Sequence, residues 1–340
     1  MERLINGMLE REKRITIVKS YYPVSADREM TTLRTVTFRE MTGGEGRIFS
    51  ASGFAFVDCS YEGDLAAVAK VPYRVGREAR DEFNEEHAGR IFMTETVWPP
   101  PAHVDPKYIA NFRQLNLNHW DRWHEIIRPV STGAADKFVQ AYNLRTVITR
   151  DPKNRIPIGM PPGYDREETI RRLKNSMHWD GWWSLVPLTV TLPNQKTYMN
   201  VPQLVGIQNA YPEGDWATRK RIRDEHAFMT LSVLYFMQND ATIPEETRNA
   251  WREWGLPRDE FPDNGNLPYE IYVREARRIK GRYTFTENDV RLAPELKRAP
   301  IFPDAICLTD WYIESHAVTA ERVEGSLWEG QLELRNSTFP

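Results

Sequence analysis

The sequence predicts a mixed α/β chain, α+β in appearance, in which a small antiparallel meander precedes a longer, mainly helical stretch. Three observations carry this. Apolar and polar residues alternate through RITIVKSYYPV (residues 14–24) and TTLRTVTFREM (31–41), as in half-buried strands. RIFSASGFAFVDC (47–59) then returns as a third strand behind a turn at TGGEG (42–46). From about residue 108 to 262 helical spacing dominates, with long loops between helices, and the chain carries 23 prolines.

The bulk numbers set limits. A chain of 340 residues can bury a sizeable core as one large domain or two. Lys+Arg of 45 against Asp+Glu of 48 leaves a net charge of -3, which argues against nucleic-acid binding carried by overall charge. Cys59 and Cys307 supply neither a disulfide framework nor a cysteine-based zinc site. No apolar run reaches the roughly 18 residues of a membrane helix. MERLINGMLEREKR lacks the apolar centre of a signal peptide, so the default expectation is a cytoplasmic protein.

Taken in order, Leu4, Ile5, Met8 and Leu9 recur at helical spacing, which predicts an opening helix packed on one face. Phe54 to Val57 reads as the buried end of a strand, and Asp58, Glu62 and Asp64 follow it. Leu65 to Ala69 is helical in pattern. Proline-rich VWPPPAHVDP (97–106) predicts a surface connection. Short strands are expected near residues 142–149 and 185–191. Asp165 is placed to cap the helix REETIRRLKN, and a long helix is expected over 218–238. In LPYEIYVREARRIKG, Pro268 and Gly281 stand where a helix would start and stop, with Tyr272, Ala276 and Ile279 as its apolar stripe. Thr286 and Asp289 have capping-box spacing, with Asp in place of Glu or Gln.

Candidate chemistry is sparse. Gly43, Gly44 and Gly46 fail the dinucleotide fingerprint, because Phe49 stands where its last glycine belongs; a hairpin turn is the better reading. His119 and His124 lie five apart, a poor fit to one helical face, so no metal site is expected. HWDGWW (178–183) fits either an aromatic platform for a sugar or flat ligand, or core packing. Arg274, Arg277 and Arg278 fit either a forked grip on phosphate or carboxylate, or a solvated face with Glu270–Arg274 and Glu275–Arg278 pairs. The acids at 58, 62 and 64 either cap the next helix or border a ligand cleft.

Longer motifs say more. VDCSYEGDLAAVAKVPYRVGREARDEFNEEHAG, QAYNLRTVITRDPKNRIPIGMPPGYD, YPEGDWATRKRIRDEHAFMTLSVLYFMQND, WGLPRDEFPDNGNLPYEIYVREARRIKGRYTFTENDV and FPDAICLTDWYIESHAV follow one another as in a family of bacterial FAD-dependent oxidoreductases. The chain resembles that family over nearly its whole length. The resemblance implies a Rossmann-type FAD-binding domain interrupted by a large, mainly helical substrate domain. It divides the chain into a partial FAD domain with the meander (1–96), an inserted substrate domain (97–266) and a return toward the FAD domain (267–340). It implies FAD as cofactor and electron or hydride exchange with a small-molecule substrate that the sequence does not identify.

By resemblance, Asp58, Cys59, Ser60, Gly63 and Asp64 match the segment beside the dinucleotide, with DCS replacing the commoner DAT. Arg274, Glu275, Arg277 and Arg278 match an RExRR segment, in which Arg274 is a catalytic candidate and Arg277 and Arg278 are cofactor contacts. His316, in IESHAV, is the proton-transfer candidate, because an ordinary histidine titrates near neutrality. A strand, a G-x-G-x-x-G turn and a helix, whose N–H groups take the pyrophosphate in this fold, are not found. Nor is the glycine-containing return segment after LELRNSTFP. Together these predict an incomplete, truncated Rossmann domain that by itself holds little FAD, completed by a partner chain or homo-oligomer. The alternative expectation is a non-catalytic binding module for a polar or saccharide ligand, built on Trp182 and Trp183.

Overall fold

The computed structural model describes residues 2–41, 46–94, 96–97, 122–123, 126–174, 190–200, 202–291, 293, 299–305 and 313–334. Residues 98–106, the glycines at 43 and 44, His119, His124, the HWDGWW segment, most of 185–191 and Cys307 lie outside them. The chain forms two compact units, Met1–Tyr73 and Arg74–Pro340.

In the first unit the meander forms as the alternation predicts. Strands β1 (Tyr21–Glu29), β2 (Thr32–Glu40) and β3 (Ile48–Ser52) pair antiparallel in sequence order. The first strand starts later than its pattern suggested, and two register shifts, at Pro23/Ser25 and Asp27/Arg28, bend it. Phe38 and Phe49 sit opposite each other and stack at 5.1 Å, the cross-strand pairing that stabilises a sheet face. A second helix, α2 (Asp64–Val68), is tied to β1 where Arg28 Nη1 donates to the Ala69 carbonyl at 2.9 Å. Val36, Ala66 and Ala69 are buried here.

Two expectations fail in this unit. The opening helix α1 (Glu2–Leu9) forms, but Leu4, Ile5 and Met8 are exposed and not packed. The third strand stops at Ser52, and Phe54 and Val57 are exposed rather than the buried end of a strand. Pairing with β2 runs out at Thr35↔Ser52, so the residues beyond Gly53 have no ladder to join.

The second unit is built on helix packing. Helix α3 (Arg166–Lys174) is capped by Asp165, whose carboxylate accepts the Glu168 N–H at 2.8 Å. Helix α4 (Trp216–Asn239) is capped by Asp215 through the Thr218 N–H, also at 2.8 Å. Helix α5 (Glu245–Arg252) packs on it, and Met229, Val233, Phe236, Met237 and Trp251 share one core with Leu144, Ile148 and Leu173. The strands are short antiparallel ladders: Tyr142–Asn143 with Gln203–Leu204, Thr146–Thr149 with Lys196–Met199, and Ile313–Ser315 with Leu332–Leu334. Mixed helices and small antiparallel sheets are compatible with an α/β FAD-type fold; the largest sheet among the described residues has three strands.

The helix expected between Pro268 and Gly281 is absent. Residues 271–277 run extended, with the Tyr272 N–H donating to the Asn143 carbonyl at 2.7 Å. Burial explains the preference. Ile271 and Val273 are buried while Tyr272 between them is exposed, a period of two that a helix cannot satisfy. Both β-branched side chains enter a core with Val139, Tyr142, Tyr211 and Ile222. Ile279, assigned to the apolar stripe, is exposed. The capping box does form: Asp289 accepts the Thr286 N–H at 2.6 Å and closes a single turn, Glu287–Asp289.

Candidate functional site

In the first unit, Asp58 acts on its own loop. Asp58 Oδ1 accepts from the Ser60 N–H at 3.0 Å and from Ser60 Oγ at 2.6 Å, and Asp58 Oδ2 accepts the Ala66 N–H at 3.4 Å. Asp58 therefore reaches into the first turn of α2 and supplies the side-chain acceptor that Gly63, the residue at the cap position, lacks. Gly63 adopts a left-handed φ of 67°, and its N–H is held by Ser60 Oγ at 3.1 Å. Cys59 is an exposed free thiol and Asp64 opens the helix.

In the second unit, the extended segment places Arg274 and His316 in one electrostatic neighbourhood. Arg274 Nη1 donates to the Ala141 carbonyl, and the Ala141 N–H donates to the Ala317 carbonyl at 2.8 Å. The His316 N–H donates to Gln140 Oε1 at 3.3 Å, and the residue is 7 % exposed. Burial holds the His316 pKa well below its ordinary value, and the charges of Arg274 and Arg145 push the same way. The imidazole is therefore neutral at physiological pH, which corrects the expectation of a titration near neutrality. Glu314 Oε1 lies 3.9 Å from His316 Nε2, too far for a hydrogen bond.

Arg145 is the member that sequence reasoning missed. Its guanidinium stacks over the Tyr272 ring at 3.8 Å, and that of Arg274 lies 5.3 Å from the same ring centre. Asn143 is the cross-strand partner of both Gln203 and Tyr272, so these three side chains share one face. The signal available was position within a motif: Arg145 lies in QAYNLRTVITRD, one of the segments carrying the resemblance.

The other arginines of the RExRR segment are placed differently. Arg278 donates to the Gly76 carbonyl and forms an ion pair with Glu78 at 2.8 Å, while Glu78 also holds Arg74 at 2.7 Å. Arg277 is half-buried. Glu275 is half-buried, its carboxyl accepts the Gln140 N–H at 2.9 Å, and desolvation raises its pKa. Nearby, Arg77 joins Asp136 and Glu329, with Nη1 to Glu329 Oε1 at 2.5 Å. Gly76 makes that approach possible: its φ is +85°, and an added Cβ would lie 2.3 Å from the Asp136 carbonyl oxygen.

Glu86, His87 and Glu287 have their ligand atoms within 4.8 Å of one another. Glu287 is already engaged by His87 Nδ1 at 2.8 Å, and Arg291 pairs with Glu287 at 3.0 Å and Glu86 at 3.3 Å. A cation is thus in place without a metal.

The model of the family described as FAD dependent oxidoreductase matches residues 1–335, and the chain belongs to that family. FAD is the cofactor that this membership implies. No curated protein and no solved structure matches the chain. No helix among the described residues is long and apolar enough to cross a membrane.

Several donors among the residues assigned to FAD by resemblance are already engaged within their own unit. A diphosphate cradle needs backbone N–H groups open at a helix N-terminus. In the first unit the Ser60, Gly63 and Ala66 N–H groups are taken by side chains of the same loop. In the second, the Arg278 guanidinium is committed to Gly76 and Glu78.

Proposed function

We propose that the chain serves an FAD-dependent electron or hydride transfer with a small-molecule substrate, and that Arg274 and His316 belong to the substrate-facing site. The observation that supports the redox reading is the family match across residues 1–335. In this reading residues 1–96 and 267–340 belong to a Rossmann-type flavin domain, and 97–266 form the inserted substrate domain. Bound FAD supplies a two-electron acceptor.

The contribution of this chain's own residues is positional. His316 is buried and neutral, so its ring carries one hydrogen-bond donor and one acceptor. A general acid would have to carry a proton at neutral pH, which burial and two nearby guanidiniums oppose. His316 is therefore assigned to orienting the substrate.

The test is isolation of the protein from the cells that make it, followed by a visible absorption spectrum and release of the bound chromophore. The reading expects the bands of oxidised flavin, bleached by dithionite, with FAD as the released compound. Protein carrying no flavin under those conditions would overturn it.

A further inference from the structure

We propose that Arg145 anchors an oxyanion-binding site, in which a carboxylate or phosphate group of the substrate lies against its guanidinium beside the ring of Tyr272. This rests on the reading of the Arg274–His316 neighbourhood as substrate-facing, and adds the chemical class of the ligand.

Three observations converge. The first is the state of Arg145 itself. Its Nε is buried without a hydrogen-bond partner among the described residues, and no carboxylate there pairs with it. The contacts it makes are with the rings of Tyr272 at 3.8 Å and Tyr198 at 5.8 Å. A ring face orients a guanidinium and leaves the in-plane N–H groups, which form the fork that matches an oxyanion.

The second is charge. Arg274 lies near the same ring, so the two guanidinium carbons are no farther apart than the sum of their distances to its centre. Both guanidiniums are positive, so each adds to a potential that favours an anion near the ring. Among the described residues, Glu314 lies 3.9 Å from His316 and is about one-third exposed; it would oppose an anion at the His316 end.

The third is polar capacity on the same face. Gln203 is fully buried, and neither its Oε1 nor its Nε2 has a partner among the described residues; Asn143 Oδ1 is in the same condition. Buried polar groups are costly to leave unmet, so they mark a place for water or a polar ligand. Access is available, because Tyr272 and Tyr198 are 38 % and 44 % exposed.

The test is isothermal titration of the purified chain with succinate, inorganic phosphate and ADP, in the wild type, Arg145→Gln and Arg145→Lys. Succinate or phosphate should bind the wild type, about tenfold or more weaker to Arg145→Gln, with Arg145→Lys between them. Matching thermal unfolding of the variants would confirm that each is folded. Equal affinity in wild type and Arg145→Gln, or no binding of either anion, would overturn the proposal. ADP that competes with succinate and depends equally on Arg145 would assign the site to a nucleotide phosphate and overturn the substrate assignment. The titration needs no flavin, so its failure is separate from a failure to isolate the protein with FAD.

Discussion

Two groups of arginines in the Arg74–Pro340 unit differ in what surrounds them. Arg77 is enclosed by Asp136 and Glu329, and Arg74 and Arg278 share Glu78. Arg145 and Arg274 instead surround a tyrosine ring and depress a buried histidine. The first group is neutralised from within the chain and holds the fold. In the second, Arg145 meets aromatic rings rather than carboxylates, which suits it to a ligand. All five of these arginines lie in segments that carry the family resemblance, so motif membership alone does not separate the roles; local charge balance does.

The largest effect expected of this contrast is at Arg77. Replacing it by Met leaves Glu329, which is 0 % exposed, as an uncompensated buried carboxylate. The Arg77→Met variant should lose about 3–5 kcal/mol of stability, the usual consequence of breaking a buried pair from one side. Urea unfolding checks this, and a loss below about 1 kcal/mol would remove the distinction between the groups.

A second effect reaches both histidines beside Arg274. Burial lowers the His226 pKa from 6.5 to about 4, with two backbone carbonyls pulling partly the other way, and His316 is depressed in the same direction. The unfolded chain therefore takes up protons below about pH 6.5 while the folded chain does not. Stability should be fully present above pH 6.5 and fall as the pH drops toward 4, by about 3 kcal/mol for His226. Thermal unfolding across that range should show a slope that His226→Gln reduces; an unchanged slope would contradict the assignment.

Smaller effects separate Arg274 from Arg278. Arg274→Gln removes a charged donor from the Ala141 carbonyl and should cost about 1–3 kcal/mol. Arg278→Gln removes a partner whose side chain is over one-third exposed, and Glu78 keeps Arg74, so about 1 kcal/mol or less is expected. Denaturant midpoints in the reverse order would contradict the comparison.

These differences bear on what could be read from the sequence. The meander, the caps at Asp165 and Thr286 and the long helix α4 were legible, because alternation, capping residues and helical periodicity are local. The extended course of 271–277 was not. Pro268, Gly281 and the charged residues imitate a bounded helix, while the deciding fact is that Ile271 and Val273 enter a core made largely by residues distant in sequence. Arg274 and His316 were picked out through resemblance, and the structure places them in one electrostatic neighbourhood. Arg145 was missed for a physical reason: its role depends on Tyr272, far along the chain, and on the lack of a carboxylate partner among the described residues. The loop from Asp58 to Gly63 was half legible. Asp58 does reach the first turn of the next helix, but the strand assumed before it ends at Ser52.

The most direct test of the central claim is the pKa of His316, followed by the NMR shifts of its ring protons from pH 8 to 4, with His316→Asn used for assignment. The account predicts a pKa well below 6.5 in the wild type, an increase in Arg145→Gln, and no change in Arg278→Gln. A wild-type histidine titrating near 6.5 and indifferent to Arg145 would show that the two groups of arginines do not differ in the way described.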